Sequence, residues 1–239
     1  MRLSQLVAAL PGASAGEQDP EITRLDYDSR QVGAGSLFVA IPGFRHDGHA
    51  FIGNALARGA AAVVVQKGHP FSEADLAVPL MLVPDSRRAL AELAAAFHGY
   101  PARKLKVIGV TGTNGKTTTC YLIEAILRTA GYRTGLVGTV AWRIGAQVED
   151  NLSHGTTPEA PELQGLLARM VAQGVEYAIL ETTSHALVLD RVWGCEFDLG
   201  VFTNLSGDHL DFPGSMERYL RDKGRIFQAL ATSVEKSIP

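Results

Sequence analysis

The chain has 239 residues, of which 46% are apolar and 20% are charged, a composition that is sufficient for two domain cores. Its 22 basic and 25 acidic residues give a net charge of −3, and no run of lysine or arginine occurs, so we expect neither nucleic acid nor a membrane as a partner. The two cysteines, Cys120 and Cys195, are far apart in apolar contexts, which favours a reducing compartment over a disulfide scaffold.

The N-terminal stretch MRLSQLVAALPGASAGE weakly resembles a secretory signal peptide, because an arginine precedes an apolar segment and an Ala-x-Ala follows it. However, Ser4 and Gln5 interrupt the apolar segment. Four apolar residues also share one helical face: Leu3, Leu6, Val7 and Leu10. We therefore expect a short amphipathic first helix in a cytoplasmic protein.

Residues 1–101 are expected to form a small mixed α/β domain. Apolar runs typical of buried strands lie at residues 36–41, 61–65 and 80–83. Helical patterns lie at residues 48–59 and 85–101, and the second of these ends at a glycine and a proline. We place the domain boundary after residue 101.

Residues 102–239 alternate between predicted strands and helices. The predicted strands are 105–112, 133–140, 175–181 and 197–205, and the predicted helices are 116–131, 158–174 and 215–230. This alternation predicts a parallel, doubly wound sheet whose ligands bind beyond the carboxyl ends of the strands. Because four main strands are few for a nucleotide-binding sheet, we expect a truncated domain, with a small complete domain as the alternative.

The segment GVTGTNGKTTT, residues 109–119, connects a strand to a helix and is typical of a phosphate-binding loop. In the common pattern G-x-x-x-x-G-K-[ST] the first glycine would occupy position 110, where this chain has Val110. Lys116 can bring a positive charge to a phosphate, and Thr117 can offer a hydroxyl to Mg²⁺. No N/T-K-x-D motif supports a GTPase, whereas a simple kinase stays open on the loop alone.

Other polar residues follow the ends of predicted strands. Glu181 ends a strand at the same sheet edge as the phosphate loop, where a carboxylate can hold Mg²⁺; an ordinary polar strand end is the alternative. His209 follows the next strand, and Lys223 lies on the last helix. Taken singly, such a histidine is more often structural and such a lysine is more often solvated.

Taken together, these motifs resemble the Mur ligase family. The stretch TGTNGKTT is similar to the ATP loop of that family, and DSRQVGAGSLFVAIPGFRHDGHAF is similar to its UDP-sugar-binding N-terminal domain. The stretches TTPEAPELQ, ETTSHAL and FTNLSGDHLDF are similar to its tripeptide-forming, MurE-type branch. The resemblance covers nearly the whole chain, with several motifs in the expected order.

The resemblance implies an ATP-dependent carboxylate–amine ligase of peptidoglycan synthesis, with Mg²⁺ as cofactor. ATP would phosphorylate the D-glutamate carboxylate of UDP-N-acetylmuramoyl-L-alanyl-D-glutamate, and a diamino acid, meso-diaminopimelate or L-lysine, would attack the acyl phosphate. It also implies a monomer, and a chain that lacks part of the central domain and the whole C-terminal domain. Such a fragment would be inactive alone. A non-catalytic module that binds UDP-sugar or nucleotide is one alternative, and another Mur-type or folylpolyglutamate-type ligase is a second.

The resemblance also implies roles for individual residues. The ATP-binding residues would be Gly112, Thr113, Asn114, Gly115, Lys116, Thr117 and Thr118. The metal ligands would be Thr117, Glu181, His209 and Lys223, the last as an N6-carboxylysine formed with CO₂. The catalytic residues would be Lys116, Glu181, His209 and Lys223. The substrate-binding residues would be Ser29, Phe44, Arg45, His46, Thr156, Thr157, Thr183 and Arg191.

Two further expectations accompany these roles. Carbamylation needs a neutral amine, so the site should lower the pKa of Lys223. The chain also departs from the family pattern at two positions, because the family usually has serine at Thr183 and often has histidine at Pro213.

Overall fold

A computed structural model of the protein describes residues 1–11, 18–43, 46–69, 76–151, 155–207 and 215–236. The chain divides into two compact units, Met1–Phe97 and His98–Pro239. The predicted functional domains, residues 1–101 and 102–239, stay predictions. Among the helices described, none combines the length and the apolar character needed to cross a lipid bilayer.

The first unit contains a four-stranded parallel sheet. Its elements are α1 (Leu3–Val7), β1 (Arg24–Asp26), β2 (Ser36–Val39), α2 (Ile52–Ala57), β3 (Ala60–Gln66), β4 (Leu80–Val83) and α3 (Ser86–Phe97), with a 3₁₀ helix at Gly48–Phe51. The strand order is β1-β2-β3-β4, and every neighbouring pair is parallel. The predicted strands are confirmed as β2, β3 and β4, whereas the three residues of β1 are too few to show a pattern.

Apolar periodicity explains how the first unit buries its core. The residues Leu3, Leu6 and Val7 of α1 are buried, which confirms the predicted amphipathic helix. On the sheet, Phe38 and Val63 pack with buried residues of α2. The hydrophobic effect therefore accounts for the placement of both helices.

The second unit contains a six-stranded mixed sheet. Its elements are β5 (Lys106–Thr111), α4 (Lys116–Thr129), β6 (Thr134–Val137), β7 (Ala141–Ile144), β8 (Gln147–Asp150), α5 (Ala160–Ala172), β9 (Tyr177–Glu181), α6 (Ser184–Val188), β10 (Leu199–Phe202) and α7 (Met216–Thr232), with a 3₁₀ helix at Pro101–Lys104. The strand order is β10-β5-β9-β6-β7-β8. The four strands from β10 to β6 are parallel, as predicted.

Helices cover both faces of the parallel part of this sheet, which confirms the doubly wound arrangement. Side chains alternate along each strand, so Val107 of β5 faces a core formed with α5, α6 and α7, whereas Ile108 faces a core formed with α4. Cys120 and Cys195 lie in these two cores as free thiols and act as small apolar side chains.

The strands β7 and β8 correct the expectation of a purely parallel sheet, because they extend it as an antiparallel hairpin. The sequence did not indicate them, since each has only four residues and most side chains of β8 are exposed. The short helix α6 was also not predicted. Both features lie between predicted elements and carry little apolar periodicity.

Gly109 of β5 packs tightly against Phe197 and against Ile226 of the last helix. A Cβ atom at this position would lie 2.6 Å from a ring carbon of Phe197 and 2.8 Å from Cδ1 of Ile226. Since both neighbours are buried, neither can move away freely. Glycine is therefore required here by packing.

The substitution Gly109→Ala should lower the free energy of unfolding by about 1–3 kcal/mol because it overpacks this core. Gly224→Ala is the matched control: Gly224 lies within α7, and a Cβ there meets no atom within 4 Å. That change should raise stability by up to about 1 kcal/mol through helix propensity. Urea titration of both variants measures the difference, and equal stability of the two variants would contradict the packing argument.

Candidate functional site

The phosphate loop connects β5, which ends at Thr111, to α4, which begins at Lys116. Gly115 is the N-cap of α4, with φ of 79°, and it has no side chain that could bond the first N–H groups of the helix. The N–H groups of the first turn lack intrahelical acceptors, and the helix dipole places partial positive charge at the same point. The loop therefore offers an anion several backbone donors.

The position of the glycines follows from the length of β5. Val110 is buried within the strand and pairs with Glu181 on one side and Val201 on the other, so the turn begins only after Thr111. Gly112 has φ of 146°, and a Cβ on it would lie 1.9 Å from Oγ1 of Thr203. The backbone at position 112 passes against the turn after β10, so glycine is needed there, whereas the common pattern has its first glycine at position 110.

Two lysines converge on the same side of the loop. Nζ of Lys116 donates to the carbonyl oxygens of Gly112 (3.1 Å) and Thr113 (2.9 Å). Nζ of Lys223, which is 1% exposed, donates to the same Gly112 oxygen at 2.7 Å and lies 4.3 Å from the ring centre of Tyr219. Two cations thus share one backbone acceptor at the loop.

The burial of these ammonium groups changes their acidity. Burial lowers the pKa of Lys223 from 10.5 to about 8. The pKa of Lys116 is also lowered, first by burial and then by the charge of Lys223. The expectation that the site depresses the pKa of Lys223 agrees with this environment.

The carboxylate of Glu181 reaches the first turn of α4. Glu181 ends β9, is 2% exposed, and accepts a hydrogen bond from the Thr117 hydroxyl at 2.8 Å. Its other oxygen accepts bonds from the backbone N–H (2.9 Å) and the hydroxyl (3.0 Å) of Thr139. The structure therefore brings together the two predicted oxygen ligands and adds Thr139, which the sequence did not indicate.

Several predicted substrate residues surround this carboxylate. The hydroxyls of Thr139 and Thr156 lie 3.1 Å apart, and because the Thr139 proton is donated to Glu181, Thr156 is the donor in this pair. Thr157 is buried, donates to the backbone oxygen of Glu181 at 2.8 Å, and accepts from the Thr183 N–H at 3.2 Å. The hydroxyl of Thr183 in turn caps α6. In this structure the hydroxyls of Thr157 and Thr183 thus bond to the protein itself.

Arg191 lies beside these threonines. Its guanidinium donates to the Thr157 carbonyl oxygen at 3.1 Å and forms an ion pair with Glu159 at 2.7 Å. A second anion at this position would compete with Glu159 for the same donors.

The remaining predicted residues belong to the first unit or lie outside the described residues. Ser29, which is nearly buried, and His46, which is exposed and contacts Phe51 edge to face, belong to the first unit. Phe44, Arg45 and His209 lie outside the described residues. Their assigned roles stay predictions.

Within the described residues, Asp47, His49 and His69 form a group whose potential ligand atoms lie within 4.8 Å of one another. The Gln66 N–H donates to Nε2 of His49, so the proton of the neutral ring is on Nδ1, which faces Asp47. The two imidazole rings are stacked at an angle of 12°, and nearly parallel rings cannot both direct an in-plane lone pair at one ion. This group fits a structural hydrogen-bond cluster better than a metal site.

Known families match both units. The sequence matches the "Mur ligase middle domain" over residues 110–235 and the "Mur ligase family, catalytic domain" over residues 21–98. These matches include the phosphate loop, Glu181 and Lys223.

Relatives and solved structures agree with these matches. The UDP-N-acetylmuramyl-tripeptide synthetase of Roseiflexus sp. (strain RS-1) is 48% identical over 100% of this chain and 47% of its own length. The UDP-N-acetylmuramoyl-L-alanyl-D-glutamate--2,6-diaminopimelate ligase of Bacillus licheniformis is 43% identical over 100% of this chain and 48% of its own length. The chain thus spans about half the length of the curated relatives it matches.

Two solved structures share the fold described above. A UDP-N-acetylmuramoyl-L-alanyl-D-glutamate--2,6-diaminopimelate ligase superposes with a TM-score of 0.78 at 32% identity, over 95% of this chain and 45% of that one. The MurF ligase of Thermotoga maritima in complex with ADP superposes with a TM-score of 0.56 at 26% identity, over 86% of this chain and 43% of that one. By its sequence matches and its fold, this chain belongs to the Mur ligase family.

Proposed function

We propose that this chain carries the UDP-sugar-binding part and the phosphate loop of an ATP-dependent ligase. The enzyme would add a diamino acid to UDP-N-acetylmuramoyl-L-alanyl-D-glutamate in peptidoglycan synthesis. The observation that carries the proposal is the Thr117–Glu181 pair at the N-terminus of α4, beside two lysines. The names of the relatives support the choice of substrate.

The proposed chemistry explains why positive charge is concentrated at this site. A substrate carboxylate must attack the γ-phosphate of ATP, and both groups are anionic. The N–H groups of the α4 N-terminus and the ammonium of Lys116 would bind the phosphates and lower this repulsion. Mur ligases use ATP, and the ADP complex of the Thermotoga maritima relative fits this use of the loop.

The oxygen atoms of Thr117 and Glu181 suit Mg²⁺, which prefers oxygen ligands. When bound, Mg²⁺ would neutralise phosphate charge. Thr139 fixes the second oxygen of Glu181 through two hydrogen bonds, so the first oxygen keeps its direction towards Thr117. We propose Lys223, as a carbamate, and His209 for a second metal ion.

The free thiols Cys120 and Cys195 are compatible with a reducing compartment, and UDP-linked precursors and ATP would be available in the cytoplasm. We therefore propose a cytoplasmic enzyme. Its oligomeric state is proposed to be monomeric.

The complete product of the gene should release ADP when it is given MgATP, the UDP-muramoyl dipeptide and a diamino acid. Lys116→Ala should lower kcat/KM at least about 100-fold, because the variant lacks the positive charge that would stabilise the transferring phosphoryl group. Lys104→Ala, an exposed lysine of the same unit, is the matched control and should leave the rate unchanged. Absence of ADP release with every diamino acid would refute the proposed function.

Carbamylation of Lys223 should depend on pH. With a pKa of about 8, roughly half of the amine is neutral at pH 8, whereas a lysine with the ordinary value of 10.5 would be almost wholly charged. At fixed dissolved ¹³CO₂, the carbamate ¹³C signal should therefore grow between pH 7 and pH 8.5.

Lys223→Met should abolish this ¹³C signal. Lys236→Met is the control: the side chain of Lys236 is also buried but is paired with the carboxylate of Asp198, and its substitution should leave the signal unchanged. A signal of unchanged size in Lys223→Met would contradict the assignment.

Thr139→Val removes one of the bonds that orient Glu181 and keeps the side-chain volume nearly constant. We expect kcat/KM to fall by about 10- to 100-fold, with a higher Mg²⁺ requirement, because a hydrogen bond to a charged group contributes about 1.5–3 kcal/mol. Thr139→Ser should restore most of the activity. Equal Mg²⁺ titrations for the valine variant and the unsubstituted enzyme would exclude this orienting role.

A further inference from the structure

The turn after β10 binds the phosphate loop through one side chain in particular. The carboxamide of Asn204 accepts the N–H of Asn114 at 3.1 Å and donates to the carbonyl oxygen of the same residue at 3.0 Å. Both backbone polar groups of Asn114 are thus bonded by a single side chain. An amide suits this role because it carries a donor and an acceptor, whereas aspartate lacks the donor and an aliphatic residue lacks both groups.

Neighbouring bonds complete this attachment. The Thr113 N–H donates to the backbone oxygen of Asn204 at 2.9 Å, and the Thr203 hydroxyl donates to the Asn114 oxygen at 2.7 Å. The hydroxyl of Thr113 accepts the N–H of Ser206 at 3.0 Å. Residues 113 and 114 are therefore fixed by residues 203–206, which follow β10.

These bonds decide which backbone groups remain for an anion. The carbonyl oxygens of Gly112 and Asn114, which would repel a phosphate, are bonded to lysines and to the Thr203–Asn204 pair. The N–H groups of residues 115–118 follow directly and have no intrahelical acceptors, since the first backbone bond of α4 is that from Thr119 to Gly115. Fixing Asn114 thus orients the donors of the helix N-terminus.

We propose that Asn204 is a positioning residue for the phosphate loop. By holding both backbone groups of Asn114, it keeps the loop in the conformation that presents the N–H groups of residues 115–118 to the phosphates of ATP. This inference rests on the proposed ATP-dependent function. The opposite possibility, a latch that must open before ATP binds, predicts the opposite change in affinity.

The test uses the complete product of the gene and MgATP. Asn204→Ala removes both side-chain bonds and should weaken MgATP binding in calorimetry by about tenfold, as expected for two net hydrogen bonds. Asn204→Asp keeps the acceptor for the Asn114 N–H but loses the donor and adds negative charge, so it should weaken binding at least as much. If the alanine variant does not fold, the aspartate variant decides.

Hydrogen–deuterium exchange without nucleotide reports on the loop itself. A peptide covering residues 112–117 should exchange faster in Asn204→Ala than in the unsubstituted protein. Gln164→Ala is the matched control: Gln164 is a buried amide of α5 that donates to the Trp193 carbonyl oxygen, away from the loop. It should lower the melting temperature but leave MgATP affinity and loop exchange unchanged.

The outcomes separate this inference from the proposed function. If the unsubstituted protein binds no MgATP, the proposed function fails and this inference fails with it. If the unsubstituted protein binds MgATP and Asn204→Ala binds it equally well or more tightly, the positioning role alone is overturned. Slower or equal exchange of the loop peptide in Asn204→Ala would also overturn it.

Discussion

The parallel pairing of β10, β5, β9 and β6 is the constraint on which the candidate site depends. Parallel strands place their carboxyl ends at one edge of a sheet, and the registers align Thr111 with Phe202 and Val110 with Glu181. Four successive turns therefore meet at that edge. Short side chains such as threonine and asparagine are sufficient to connect these turns, because the backbone has already brought them within hydrogen-bond distance.

At this edge of the sheet, two positively charged side chains lie close together. Lys116 and Lys223 approach the same carbonyl oxygen, and their mutual repulsion contributes to the lowered pKa of Lys116, whereas Glu181 acts in the opposite direction. A carbamate on Lys223 would replace this repulsion with an attraction to Lys116 and would add two oxygen ligands. The same change would therefore relieve an unfavourable contact and prepare the site for cations.

The strands and helices of the parallel core could be predicted from the sequence, because apolar runs mark the strands and glycines mark the ends of the helices. The sequence also indicated that Glu181 lies near Thr117, since Glu181 ends a predicted strand and Thr117 begins the helix that follows the phosphate loop at the same sheet edge. The role proposed for Lys223 depended on family resemblance, because a helical lysine carries no local sign of burial. Thr139 and Asn204 were missed as partners of Glu181 and Asn114, since their hydrogen bonds join residues that are distant in the chain. The β7–β8 hairpin was missed because its strands are short and polar.

The bonds between the phosphate loop and the turn after β10 also have a consequence for the order of folding. The loop and its anchor are separated by 90 residues, so this closure is among the long-range events of the second unit. The helix α4 can form early, but the loop before it cannot reach its final shape until β10 has paired with β5. During synthesis, the polypeptide would therefore have a folded sheet centre before it acquires a phosphate loop in its final conformation.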